Sequence, residues 1–144
     1  MKLSLAMGLV VIMAAVTGAA FAGSGQDSPE AASSIQPVSW AGWLAAKAKA
    51  EECDAAGNFV SALQYYLEYT RQAEGLNSPA RAAWGKNNAA YMIIKMHRLD
   101  PTVDLAPAKK FLEQGMAIDG ATEDCRQALA KNREYVRLYL KQPG

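Results

Sequence analysis

An all-α fold follows from three features of this chain. After residue 39 no stretch alternates apolar and polar residues as a half-buried strand must, and valine and isoleucine are sparse. Ala, Leu, Lys, Glu, Gln and Arg, the good helix formers, dominate that region. Gly57-Asn58-Phe59 lies between two helix-patterned stretches and reads as a tight corner between antiparallel helices. There Gly57 accepts the left-handed backbone of a helix C-cap, and Phe59 plugs the corner.

Five helices are expected. The first covers 39–56, with Ser39 as N-cap. Its Trp43, Ala46, Ala50 and Cys53 recur at three- and four-residue spacing and form one face, with Lys47, Lys49, Glu51 and Glu52 largely elsewhere. The second covers 59–74, with Gly75 as its stop signal. Phe59, Ala62, Leu63, Tyr66 and Ala73 face one way, and Tyr65 and Tyr69 make a neighbouring aromatic ridge. Ala62 is small, which lets the first two helices approach closely.

The third helix starts with Ser78 as N-cap and Pro79 at the first helical position. It ends before Asp100-Pro101, because the residue before proline avoids helical geometry. Ala83, Trp84, Ala90, Tyr91 and Ile94 are among its apolar positions. The fourth runs from about Asp104, with Pro107 tolerated in the first turn, to Asp119-Gly120. Ala108, Phe111, Leu112 and Met116 form its face. The fifth opens at Thr122, with Glu123 and Asp124 next to the positive helix end, and carries Leu129, Val136, Tyr139 and Leu140.

The N-terminal residues read differently. Residues 1–22 have a short positive start, an almost wholly apolar run over 3–16 and the small-x-small site Ala20-Phe21-Ala22, the pattern of a secretory signal peptide. Residues 23–38 are rich in Gly, Ser, Pro and Gln without apolar periodicity and read as a disordered leader. The helical domain is then 39–144, and the expected location is periplasmic or secreted. Membrane contact is expected only through an uncleaved signal segment. Loss of Lys2 takes the formal charge from +1 to zero, so no basic footprint for nucleic acid is expected.

An internal repeat is visible. Ala62-x-x-Tyr65-Tyr66 aligns with Ala108-x-x-Phe111-Leu112, and Ala50 and Cys53 align with Ala90 and Ile93. Asn88-Ala89-Ala90 is similar to the Asn-Leu-Gly/Ala run of a repeat's first helix. Over 41–118 the chain resembles tetratricopeptide repeat proteins, built from 34-residue helix–turn–helix units. It departs from them in lacking a Gly-Asn-Phe corner in the second unit, in having Tyr69 and Gly115 where alanine is usual, and in spacing its units more widely. The resemblance implies two antiparallel hairpins plus a capping fifth helix, whose polar side is Gln127, Lys131, Asn132, Arg133 and Arg137. It also implies an exported module that binds a peptide or protein segment in a groove lined by the first helices. Two hairpins are small for a solenoid, so the partner is short or the domain forms a homodimer. The alternative is a compact helical bundle with a structural or inhibitory role in the cell envelope.

No catalytic constellation stands out. His97 is the only histidine, near the end of its helix beside Lys95 and Arg98, and is expected to face solvent or sit in the C-terminal turn. One His and two distant Cys make no metal site, and there is no haem-attachment motif or Gly-rich phosphate loop, so no cofactor is expected. Asn87-Asn88 is the notable polar feature, since asparagine is a poor helix-interior residue. In the groove that the resemblance implies, their amides would hold a peptide backbone, with Lys47, Lys86 and Lys95 adding charge toward an acidic ligand. Equally, one Asn bonds a neighbouring helix and the other faces water. Export favours a Cys53–Cys125 bridge, but the antiparallel array puts these residues at opposite ends, and the expectation is that they stay unpaired.

Overall fold

The computed structural model describes residues 35–140. The signal peptide expected at 1–22, the first part of the leader expected at 23–38 and the last four residues lie outside them. The described residues form five helices and no strand: α1 (Trp40–Ala55), α2 (Phe59–Gly75), α3 (Pro79–Leu99), α4 (Ala106–Met116) and α5 (Glu123–Leu140). α1 and α2 form one antiparallel hairpin, α3 and α4 a second, α3 packs on α2, and α5 packs on both α3 and α4. The directions follow from the contacts. Ser39, at the start of α1, donates its N–H to Gln72 near the end of α2 at 2.8 Å. Asp54 and Lys95, near the ends of α1 and α3, pair at 2.6 Å, so those two helices run parallel.

Most local signals act as the residue types dictate. Ser39 Oγ accepts from Gly42 N at 2.9 Å, Asn58 Oδ1 from Ser61 N at 3.2 Å and Thr122 Oγ1 from Cys125 N at 3.3 Å, each satisfying a first-turn amide. Gly57 takes φ 75 at the α1–α2 corner. Ser78 holds the N-cap position of α3 but makes no side-chain capping bond; its hydroxyl accepts from Arg81 Nη1 instead, at 3.2 Å.

Other boundaries differ from the sequence reading. α4 starts two residues later, because the Asp104 carboxylate caps a turn by accepting from Ala106 N at 2.8 Å, and Leu105 is buried ahead of the helix. It also stops at Met116, short of Asp119, and Gly120 turns the chain toward α5 at φ 91. α2 ends at Gly75, as the sequence reading expects to within one residue, and the reversal comes at Asn77 with φ 53. Gly75 is small for another reason: a β-carbon there would stand 2.7 Å from Val38.

That contact belongs to a segment the sequence places in the leader. Residues 36–38 lie along α2, where Gln72 Nε2 donates to Pro37 O at 3.0 Å and Arg71 donates to Gln36 O. Gln72 is fully buried and serves three groups: Ser39 N, Pro37 O and the Glu68 carboxylate. Buried polar groups must find partners, and here they fasten the entry to α1.

Two apolar clusters make the core. One joins α1, α2 and α3 through Ala50, Ala62, Tyr66, Ala89 and Met92. The other joins α3, α4 and α5 through residues such as Ile94, Leu112, Leu129 and Val136. Leu63, Tyr91 and Phe111 pack against both. The repeat-equivalent Ala62 and Ala108 are both fully buried, as are Ala50 and Ala90. Tyr69 leaves the ridge expected for it: it is buried, while Tyr65 stays exposed. Cys53 belongs to the first cluster and Cys125 to the second, and neither is paired.

Candidate binding face

α3 is the central helix, and its sides are divided. Gly85, Ala89 and Met92 turn toward α2, with a β-carbon on Gly85 standing 2.1 Å from Thr70 Oγ1. Ala83, Ala90 and Ile94 join the α3–α4–α5 cluster. What remains is a row at alternating spacings of three and four: Arg81, Trp84, Asn88, Tyr91, Lys95 and Arg98. Such spacing lines one side of a helix. Each of the six is exposed or half-buried.

The neighbouring parallel helices flank this row. On the α1 side, Arg81 sits over the Trp40 and Trp43 rings, 4.9 and 5.0 Å from their centroids. The two indoles meet edge-on at 6.1 Å, and Trp43 packs on Tyr69 at 5.1 Å. Burial pushes the Tyr69 phenol pKa up. Farther along α1, Lys47 pairs with Glu51 at 2.6 Å. At its end Asp54 pairs with Lys95, whose ammonium also lies 5.3 Å from the Phe59 ring and 4.8 Å from Tyr91. On the α5 side, Arg98 lies 4.9 Å from the Tyr135 ring and 5.7 Å from Tyr91. An exposed cation–ring contact is worth only about 0.5–1 kcal/mol. Its main effect is orientation: long cationic side chains are laid against rigid rings.

The sequence-derived candidates separate. Lys47, Asn88 and Lys95 come to this face. Asn87 does not: it is buried, and its carboxamide oxygen accepts from Asn132 Nδ2 at 2.9 Å. Its own Nδ2 donates to Asn88 Oδ1 at 3.3 Å. Lys86 turns away as well, pairing with Glu74 at 3.3 Å and lining a shallow cleft with Pro107, Lys110 and Phe111. Of the two places expected for His97, it takes the C-terminal turn of α3 and does not face solvent. It is buried, its Nδ1 is 3.1 Å from the Tyr135 hydroxyl, and its ring meets the edges of Tyr135 and Tyr139.

Sequence reasoning missed Arg81, Trp84, Tyr91, Arg98, Tyr135 and Asp54. Trp84 and Tyr91 stand in the sequence reading only as apolar positions of the third helix, and both rest on the core while staying half-buried. The signal that finds them is the three–four spacing that they share with Arg81, Asn88, Lys95 and Arg98. Away from this face, α4 and α5 enclose a groove of about 700 Å³ whose rim carries Lys109, Glu113, Arg133, Glu134 and Arg137. No cluster of His, Cys, Asp and Glu suited to a metal ion occurs among the described residues, and no described helix is long and apolar enough to cross a membrane. In comparisons with protein families, curated proteins and solved structures, none matches the chain.

Proposed function

We propose that the chain is an exported protein-interaction module of tetratricopeptide-like construction that holds an extended segment of a partner on the α1/α3/α5 face. The carrying observation is the α3 row: Arg81, Trp84, Asn88, Tyr91, Lys95 and Arg98 share one side of the helix, none of them is fully buried, and Trp84 and Tyr91 rest on the core while keeping part of their rings accessible. Aromatic residues and arginine supply most of the energy in protein recognition. Export rests on Ala20-Phe21-Ala22 after the apolar run, and N-terminal sequencing of the protein from cells should begin at Gly23.

A pull-down from cell-envelope extract tests the binding reading. Trp84→Ala and Tyr91→Ala should reduce capture of the partner while the far-ultraviolet spectrum stays helical. Leu67→Ala, on an exposed part of α2, should capture as the parent does. Equal capture by all three would refute this use of the face.

A further inference from the structure

Arg81 and Arg98 stand at opposite ends of the α3 row and are built alike. Each guanidinium lies against two aromatic rings, Trp40 and Trp43 for Arg81, Tyr91 and Tyr135 for Arg98. Neither has a carboxylate partner among the described residues; Arg81 has only its bond to Ser78 Oγ. The lysines on the face are already matched, Lys95 to Asp54 and Lys47 to Glu51. A guanidinium stacked on a ring keeps its N–H edge free for a planar, bidentate acceptor. The two arginines are thus oriented, and uncompensated, at two separate places.

Their spacing defines a ligand. They are 17 positions apart on α3, which is about 25 Å at 1.5 Å per residue. An extended chain covers that distance in about eight residues. We propose that the face takes an extended peptide with two carboxylate side chains about eight residues apart, one on each arginine, with Trp84, Asn88 and Tyr91 meeting the residues between. This rests on the binding reading above. A nucleic acid fits less well, because its phosphates recur at every nucleotide and would meet the Asp54 carboxylate beside Lys95, toward the Arg98 end of the row.

The test is a nuclear magnetic resonance titration of the full chain, ¹⁵N-labelled, with two synthetic Ser/Ala/Gln peptides of equal composition. One carries glutamates about eight positions apart, the other carries them about two apart. The wide pair should shift the side-chain Nε–H signals of both Arg81 and Arg98 and bind at least about fivefold more tightly than the close pair. Arg81→Gln and Arg98→Gln, both at exposed positions, should each abolish that advantage with the rest of the spectrum unchanged. Equal binding of the two peptides, or shifts at one arginine alone, overturns the two-anchor arrangement. If Trp84, Asn88 and Tyr91 amides still respond in that case, the binding face stands without it. If no signal on the face moves with either peptide, both readings fail. Tighter binding of oligothymidine through the same residues would replace the peptide with a nucleic acid.

Discussion

Asn87 and Asn132 face each other across the α3–α5 contact, with Asn132 Nδ2 donating to Asn87 Oδ1 at 2.9 Å. The bond fixes how α5 lies along α3, and so where Tyr135 meets Arg98. Asn87→Ala leaves the Asn132 amide without its acceptor and should cost about 1–3 kcal/mol. Asn88→Ala removes only the longer 3.3 Å bond that its oxygen accepts from Asn87 Nδ2, and should cost less than Asn87→Ala. Urea unfolding of both variants, with Asn132→Ala completing a double-mutant cycle, checks this. Equal costs at 87 and 88 would mean that the bond does not tie α5 down.

Gly85 sets the distance between α2 and α3. A β-carbon there would stand 2.1 Å from Thr70 Oγ1 and 2.8 Å from Tyr69 Cδ1. The Thr70 hydroxyl is held by the Tyr66 carbonyl at 2.8 Å, so it does not yield freely. Gly→Ala within a helix gains about 1 kcal/mol of propensity, while overpacking costs about 1–3 kcal/mol. Net destabilisation is expected for Gly85→Ala, and adding Thr70→Ala should recover part of it. An unchanged or higher melting temperature for Gly85→Ala would show that the helices have room to part.

Much of the fold was legible because its signals are local. Ser39, Gly57, Asn58 and Thr122 act on amides within a few residues, and sequence displays such pairings directly. Ala62 and Ala108 were legible as small, buried positions. The contacts of Gly75 and Gln72 were not, because their partners, Val38 and residues 36–39, lie more than thirty positions away. The site was only half legible for the same reason. Lys47, Asn88 and Lys95 were found by residue type, but whether Asn87 or Asn88 faces outward depends on the position of α5. Trp84 and Tyr91 are apolar and do pack against the core, and only the positions of the neighbouring helices show that each keeps part of its ring accessible.

Stability should fall at alkaline pH. Burial, and then the nearby Asp54 and Glu51 carboxylates, push the Tyr66 phenol pKa from its ordinary value near 10 up to about 12. Burial likewise raises Tyr69 and Cys125. The unfolded chain releases these protons first, so the stabilisation is complete below the unfolded pKa and is lost as pH climbs through the folded one. For Tyr66 that window runs from about 10 to about 12. At the acid end Glu68 and Asp100 are lowered, by Arg71 and Thr102, but these groups near the surface contribute little. Urea midpoints should therefore drop between about pH 10 and 12, less steeply in Tyr66→Phe. A flat alkaline profile would contradict the burial of these phenols.

The central claim is that the partner lies on the α1/α3/α5 face. Site-specific photocrosslinking reads this most directly, with benzoylphenylalanine placed at position 84, 91 or 67 and the protein illuminated in cells. Positions 84 and 91 should give a discrete higher-mass adduct with the same partner, and position 67 on α2 should give none. An adduct from position 67 with none from 84 or 91 would place the partner on the opposite surface and contradict the account.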